Sequence, residues 1–304
     1  MAFVSQIVVS GLILAVIYAL VAVGFTLFVG VFNVLNFSHG DVLMFGAFAG
    51  FTAFLPLAGL GVTSPFLQLV LVTIASVTCT IALGLIVARF FILPLKGAPL
   101  LNTLLITLML ATVIREGVRL FYPRGSNPKS FPALLPTDFV SIGAINVRVD
   151  TIMLIFAGLA IIVATGALIE RTRFGLAIRA VAQDEETARC MGVNYRLVVL
   201  GAFALGSGLA ACAAMINGLY YNEVNYSMGL MLAIIGFCSA IIGGLGNIAG
   251  AILGAFIFAG LQIVGSLFMP FSSAYSDVFA FAVILVLIAL KPTGLIGERV
   301  SERV

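Results

Sequence analysis

The sequence predicts an all-α integral membrane protein with about eight or nine transmembrane helices and a broken or re-entrant segment near residues 33–41. Three observations carry that expectation. Hydrophobic residues make up 62% of the chain and charged residues only 9%, where an ordinary soluble domain is about one quarter charged. Acidic and basic side chains are missing from whole stretches: none precedes His39, none falls between Asp41 and Arg89, and from Leu197 to Leu290 only Glu223 and Asp277 occur. The apolar runs do not alternate as ~10-residue barrel strands would. They reach the about 20 residues that a helix needs to cross ~30 Å of hydrocarbon.

Taken in order, the predicted spans are residues 7–30, 41–58, 65–89, 100–117, 151–169, 197–217, 229–245, 248–268 and 277–290. The opening MAFVSQIVVSG lacks the basic n-region of a cleavable leader, and its apolar run is long enough to span. Next comes the stretch Asn33-Val-Leu-Asn36-Phe-Ser-His39-Gly40-Asp41, which holds the only histidine. Asn36 or Ser38 is expected to cap a helix running on from Asp41, and Asp41 in its first turn suits the helix dipole. A helix that starts within the bilayer presents free N–H groups to anions. Transporters place substrate at such interruptions, and polar side chains at membrane depth are costly. Asn33, Asn36, Ser38, His39, Gly40 and Asp41 are therefore candidate substrate-pathway or gate residues. The plainer alternative is an interfacial capped turn. His39 is not expected to bind metal, because no second histidine or thiolate lies at ligand spacing. Cys79, Cys190, Cys212 and Cys238 read as small buried hydrophobes rather than disulfide partners.

Pro94 and Pro99 bracket Lys96 and mark a tight turn. Residues 121–150 form the longest stretch outside the predicted spans. Four prolines (Pro123, Pro128, Pro132, Pro136) disfavour helix there. Residues 139–149 alternate around Gly143-Ala144 and could form a small hairpin. The stretch is either a structured external cap or a plain connector.

Residues 170–196 are the densest island of charge, with Glu170, Arg171, Arg173, Arg179, Asp184, Glu185, Glu186, Arg189 and Arg196. From 175 to 191 the spacing predicts one short amphipathic helix, with Leu176, Ala180, Ala188 and Met191 on a shared face and Gly192 as its stop signal. Further on, Gly246, Gly250 and Gly254 are four apart and are expected to form one smooth packing stripe, following Gly243 and Gly244. Gly46 and Gly50 repeat that spacing. Asn36-x-x-x-Gly40 and Asn247-x-x-Gly250 are loosely alike, which suggests that the two halves are distant repeats. The tail KPTGLIGERVSERV is too short to hold a catalytic domain, so residues 1–304 read as a single transmembrane domain.

Loop charge sets the expected orientation. With the 170–196 loop in the cytoplasm, ten basic residues fall inside. Five fall outside: Arg115, Arg119, Arg124, Lys129 and Arg148. Residues 121–150 would then face the periplasm.

Three stretches carry a family resemblance. They are GLILAVIYALVAVGFTLFVGVFNVLNFSHGDVLMFGAFAG, RFGLAIRAVAQDEETARCMGV, and FALGSGLAACAAMINGLYY with FCSAIIGGLGNIAGAILGAF. Together they resemble the permeases for branched-chain amino acid uptake, LivH type; Asn247 departs from the serine that the family often has after Gly-x-Gly. The resemblance implies an importer of the bacterial inner membrane, with a pore of two permease chains, like (two copies of this one) or unlike (LivM-like). It also implies two cytoplasmic ATPases docked on residues 175–192 and a periplasmic binding protein. Arg179, Asp184, Glu185, Ala188 and Gly192 are the coupling residues it points to. This chain lacks a G-x-x-x-x-G-K-[ST] phosphate loop, so ATP would be bound by partner subunits and no cofactor is expected in the chain itself. No enzyme activity, metal site or nucleic-acid partner is expected, and membrane lipid surrounds the body. A urea or short-amide permease is the alternative within the family. An ion-coupled secondary carrier is the alternative outside it, with Asp41 its one candidate coupling acid.

Overall fold

The computed structural model describes residues 2–32, 35–142, 145–268, 275–291 and 294–296. Its helices are α1 (Ala2–Phe32), α2 (His39–Gly59), α3 (Pro65–Val87), α4 (Leu100–Phe121), α5 (Val149–Arg171), α6 (Arg173–Gln183), α7 (Glu185–Cys190), α8 (Tyr195–Tyr221), α9 (Met228–Gly243), α10 (Ile248–Phe268) and α11 (Ser276–Leu290). All nine predicted spans coincide with helices. Among the described residues, six helical segments are long and apolar enough to cross a membrane, and α9 and α11 are apolar but shorter.

The bundle is built around α1. Its 31 residues reach about 46 Å at 1.5 Å per residue. It is apolar on every side, the pattern of a helix buried all round. Ile17, Leu20, Val21 and Phe25 are all fully buried. α1 packs along α8, α9 and α10, with α5 beside it. By contrast, α3 and α4 expose Phe66, Leu105, Met109 and Val113, as suits helices facing hydrocarbon.

Helix directions follow from close contacts. Phe28 of α1 stacks on Phe203 at 4.4 Å, while Val16 and Ile216 meet the same face of Gly158; α1 and α8 therefore run antiparallel. α9 and α10 are also antiparallel and touch backbone to backbone. A Cβ on Gly243 would lie 1.9 Å from the Gly250 carbonyl oxygen, and one on Gly254 would lie 2.0 Å from that of Ser239. The expected stripe is thus corrected. Gly250 and Gly254 lie on it, but Gly246 sits in the preceding turn at φ +92°, and Gly243 on the facing helix takes its place. Asn247 caps α10, its Oδ1 accepting the Gly250 N–H at 3.0 Å. Gly46 and Gly50 fit α2 against α3 and α8: added Cβ atoms would lie 2.6 Å from Thr80 Oγ1 and 2.9 Å from Met215 Sδ.

Residues 121–150 form a built cap. Strand β1 (Lys129–Ser130) pairs antiparallel with β4 (Glu223–Val224) just after α8. Phe131 and Leu134 are buried beneath it. Strands β2 (Phe139–Ile142) and β3 (Ile145–Arg148) form the expected hairpin, with Ile142 opposite Ile145; Gly143 and Ala144, its expected turn, lie outside the described residues. The charged 170–196 loop lies at the opposite end, where α1 ends and α8 begins.

Candidate functional site: the 36–41 turn and the charged loop

After α1, the chain folds back into the bundle. His39 packs against Gly24, eight positions before Phe32 and so about 12 Å back along α1. Asn36 Oδ1 accepts both the Ser38 N–H at 3.2 Å and the Ser38 hydroxyl at 2.6 Å. Ser38 stands at the N-cap but makes no side-chain cap bond; the Asn36 carboxamide holds the turn. Asn36, Ser38, His39 and Asp41 are 3%, 0%, 1% and 1% exposed. All four are interior residues of the bundle. Asn33 lies outside the described residues.

The His39 ring sits edge-on between Phe25 and Phe28, each centroid 5.0 Å away. A Cβ at Gly24 would fall 2.4 Å from His39 Nε2, so Gly24 is the socket for this ring. Neither ring nitrogen makes a hydrogen bond of good geometry; the nearby backbone acceptor is the Val21 carbonyl. Asp41 faces Arg115 of α4, with Nε 3.2 Å from Oδ1 and Nη2 3.4 Å from Oδ2. Arg115 is 19% exposed at its side chain, so it is a partner of the turn rather than a free loop charge. Sequence reasoning missed this role. The available signal was an arginine followed directly by an acid late in a long apolar run.

Gly40 meets α9. A Cβ on Gly40 would lie 2.2 Å from the Gly229 carbonyl oxygen, and one on Gly229 would lie 2.2 Å from that of Gly40. Two helix starts are therefore in backbone contact inside the bundle.

The charged loop differs from its expectation. The predicted single helix over 175–191 is two helices, α6 and α7, broken at Asp184. That residue is extended at φ −155° and ψ 106°. Its Oδ1 accepts the N–H groups of Glu186 at 3.1 Å and Thr187 at 3.3 Å, and Oδ2 accepts the Thr187 hydroxyl at 2.7 Å. An aspartate that caps a new helix this well ends the old one. The break resets the phase. Gly175, Ile178, Val181 and Ala188 turn inward, and the last three join Phe28, Tyr195, Val198 and Val199 in one cluster. Leu176 and Met191 point outward, 60% and 80% exposed, so the expected shared face does not exist. Ala188 touches this chain's own spans.

Gly192 ends α7 at φ +84°, with open space around an added Cβ. It is there for its backbone angle. Arg179 is exposed and donates to the Glu170 carbonyl at 3.3 Å. Glu185 pairs with Lys96 and lies 3.6 Å from Arg189. Lys96 Nζ also sits 4.2 Å above the Tyr195 ring. The turn between α3 and α4 is thereby fastened to the loop. Beside it, Arg189, Gly192, Val193, Asn194, Tyr195 and Arg196 line an open depression of about 410 Å³.

An apolar helical bundle with interrupted helices meeting in its interior, and a separate charged loop at one end, defines a multi-pass membrane permease. The chain belongs to the family described as the permease component of the branched-chain amino acid transport system, whose sequence profile matches residues 7–288. It is 31% identical to the high-affinity branched-chain amino acid transport system permease protein BraD of Pseudomonas aeruginosa, over 98% of this chain and 97% of that one. It is 28% identical to the LivH permease of Salmonella typhimurium over 97% and 96% of the two chains. A probable LivH of Methanocaldococcus jannaschii is 27% identical over 93% and 90%.

Proposed function

We propose that this chain is the membrane-spanning subunit of a bacterial ABC importer that moves branched-chain amino acids across the inner membrane by alternating access. The observation that carries the proposal is the end-to-end likeness to BraD and LivH permeases. Residues 1–304 act as one transmembrane domain. A second permease chain, a copy or a LivM-like one, completes the pore. Two ATPases bind and hydrolyse ATP in the cytoplasm; this chain hydrolyses nothing and holds no cofactor. A binding protein delivers substrate to the periplasmic cap at 121–150.

The loop suits the coupling role because it has two separate faces. Ile178, Val181 and Ala188 grip α1 and α8, while Leu176, Arg179, Glu186, Met191 and Gly192 are exposed. Asp184 and Glu185 shape and anchor the loop. The 36–41 turn, at the interruption between α1 and α2, serves the gate. A largely apolar interior favours neutral or zwitterionic solutes with apolar side chains.

The test is uptake by the complete complex in liposomes. ATP-dependent accumulation of labelled leucine, competed by isoleucine and valine but not by urea or short amides, is the expected result. Uptake of urea in preference to leucine would replace the solute. Accumulation driven by an ion gradient without ATP would overturn the importer reading.

A further inference from the structure

The turn that opens α2 has a twin that opens α9. Phe32-Asn-Val-Leu-Asn36-Phe-Ser-His-Gly40 aligns with Tyr221-Asn-Glu-Val-Asn225-Tyr-Ser-Met-Gly229. Both asparagines, the serine and the glycine coincide, and aromatic residues stand opposite each other twice. The hydrogen bonds coincide as well. Asn225 Oδ1 accepts the Ser227 N–H at 3.1 Å and its hydroxyl at 3.0 Å, as Asn36 does from Ser38. Met228 N–H reaches the Asn225 carbonyl at 3.4 Å, and His39 N–H reaches that of Asn36 at 3.3 Å. Ser38 and Ser227 both lie in the helical backbone region, at φ −71° and −96° with ψ −9° and −8°. The likeness suggested between Asn36 and Asn247 is therefore misplaced: Asn247 caps α10 three residues on, a different device.

The two units are inverted. Each is a long helix, a turn and a second helix. α1 runs antiparallel to α8, as noted above. α2 runs antiparallel to α9, because Gly40 meets both Gly229 and Ala233 while Gly229 meets Met44. The twins meet where their glycines lie against each other. One turn follows the end of α1 on the charged-loop side, and the other follows the end of α8 on the hairpin side. Their surroundings differ. Asn36 and Ser38 are buried, whereas Ser227 is exposed and Asn225 half-buried.

We infer that the 36–40 and 225–229 turns are matched halves of one central gate, and that transport exchanges their burial. Inverted repeats give alternating access when one repeat rocks against the other around a fixed central site, so that what one turn loses in burial its twin gains. The structure is then the state closed toward the charged loop and open toward the hairpin. In the opposite state the 36–40 turn withdraws from its Gly24 socket and the 225–229 turn closes. The Gly40–Gly229 contact, backbone against backbone with the Ala233 and Met44 side chains packed beside it, is the pivot about which helices shear. This inference rests on the alternating-access reading but not on the solute.

The test uses the assembled transporter, first without nucleotide and then arrested with ATP and vanadate. Native cysteines are replaced by serine, and Ser38→Cys and Ser227→Cys are labelled singly with a small maleimide. Reciprocal changes are expected: Ser227→Cys slows and Ser38→Cys quickens, each roughly ten-fold, as a shift from a minor to a dominant state requires. Hydrogen–deuterium exchange over 36–40 and 225–229 in the unmodified complex gives the same reading if a cysteine variant fails to assemble. Changes in the same direction, or none in a complex that still hydrolyses ATP and imports, overturn the gate and leave the importer standing. Reciprocal changes in a complex that carries some other solute support the gate and remove only the substrate assignment.

Discussion

The 36–41 turn and the 170–196 loop both concentrate polar residues in an otherwise apolar chain, and the fold treats them in opposite ways. The turn is sealed. Its asparagine and serine are hydrogen-bonded to each other, its aspartate is ion-paired with Arg115, and its histidine is wedged between two phenylalanines. The loop is split lengthwise, one face buried against α1 and α8 and the other open. Polar residues in the turn therefore hold helices in register, and changing them disturbs the bundle. On the outward side Arg179 and Arg189 reach the Glu170 carbonyl and Glu185 of this chain, whereas changing exposed Leu176 or Met191 reports on contacts made with something else.

That contrast is most sharply broken at Gly40. Gly40→Leu drives a side chain into the Gly229 carbonyl and Ala233. Overpacking at backbone costs 1–3 kcal/mol or more, and here the neighbour is main chain that cannot rotate away. Loss of membrane-inserted protein, read by fluorescence-detected size exclusion, is the expected outcome; full yield would mean the glycine contact is loose.

Asp41→Ala comes next. It leaves Arg115 facing an apolar interior, and breaking a buried pair costs 3–5 kcal/mol. Arg115 keeps some exposure, so the loss should be about 3 kcal/mol, seen as a lower unfolding midpoint in detergent. The double variant Asp41→Ala with Arg115→Met should recover part of it; no recovery would show that the pair is not the cause.

In the loop, Gly192→Ala forces an alanine to φ +84°, a cost of about 1–2 kcal/mol. Stability should fall only by that much, while ATP-driven uptake falls further if α7 must keep its shape to dock. Met191→Ala sharpens the point. Its side chain is exposed and its removal should leave stability within about 0.5 kcal/mol. Coupling between ATP hydrolysis and uptake is the quantity to compare, and an unchanged ratio would count against this face as the docking surface. Ala188→Leu is no test of docking, because Ala188 is buried against this chain's own helices. Lys96→Ala is the smallest change. Its pair with Glu185 is half-exposed, and such pairs contribute about 0–1 kcal/mol.

Much of this architecture was legible in the residues. Composition and the placement of charge located the apolar helices, six of which are, among the described residues, long and apolar enough to span, since each must hide its backbone in hydrocarbon. The hairpin around Gly143-Ala144 followed from alternation. The 36–41 stretch stood out because polar side chains are rare at that depth. What stayed hidden were relations between distant segments. Gly24 carries no local sign that it receives His39, and Arg115 reads as a surface charge until α4 is laid against α2. The phase of the 175–191 helix failed for a local reason: Asp184 was counted as a charge when it acts as a cap. The glycine stripe failed partly because spacing alone cannot tell Gly246 in a turn from Gly243 on the neighbouring helix.

The ion pair at Lys96 carries a mechanical implication. Lys96 stands just ahead of α4, whose first residue is Leu100. Fifteen residues and about 22 Å along that helix, Arg115 grasps Asp41. The turn ahead of α4 is thus clasped to Glu185, and Arg115 toward the other end of the helix holds Asp41 of the buried turn. A pull on Glu185 reaches α4 only through this half-exposed pair and the short turn from Lys96 to Pro99, a soft link to Arg115 and Asp41 at the far end.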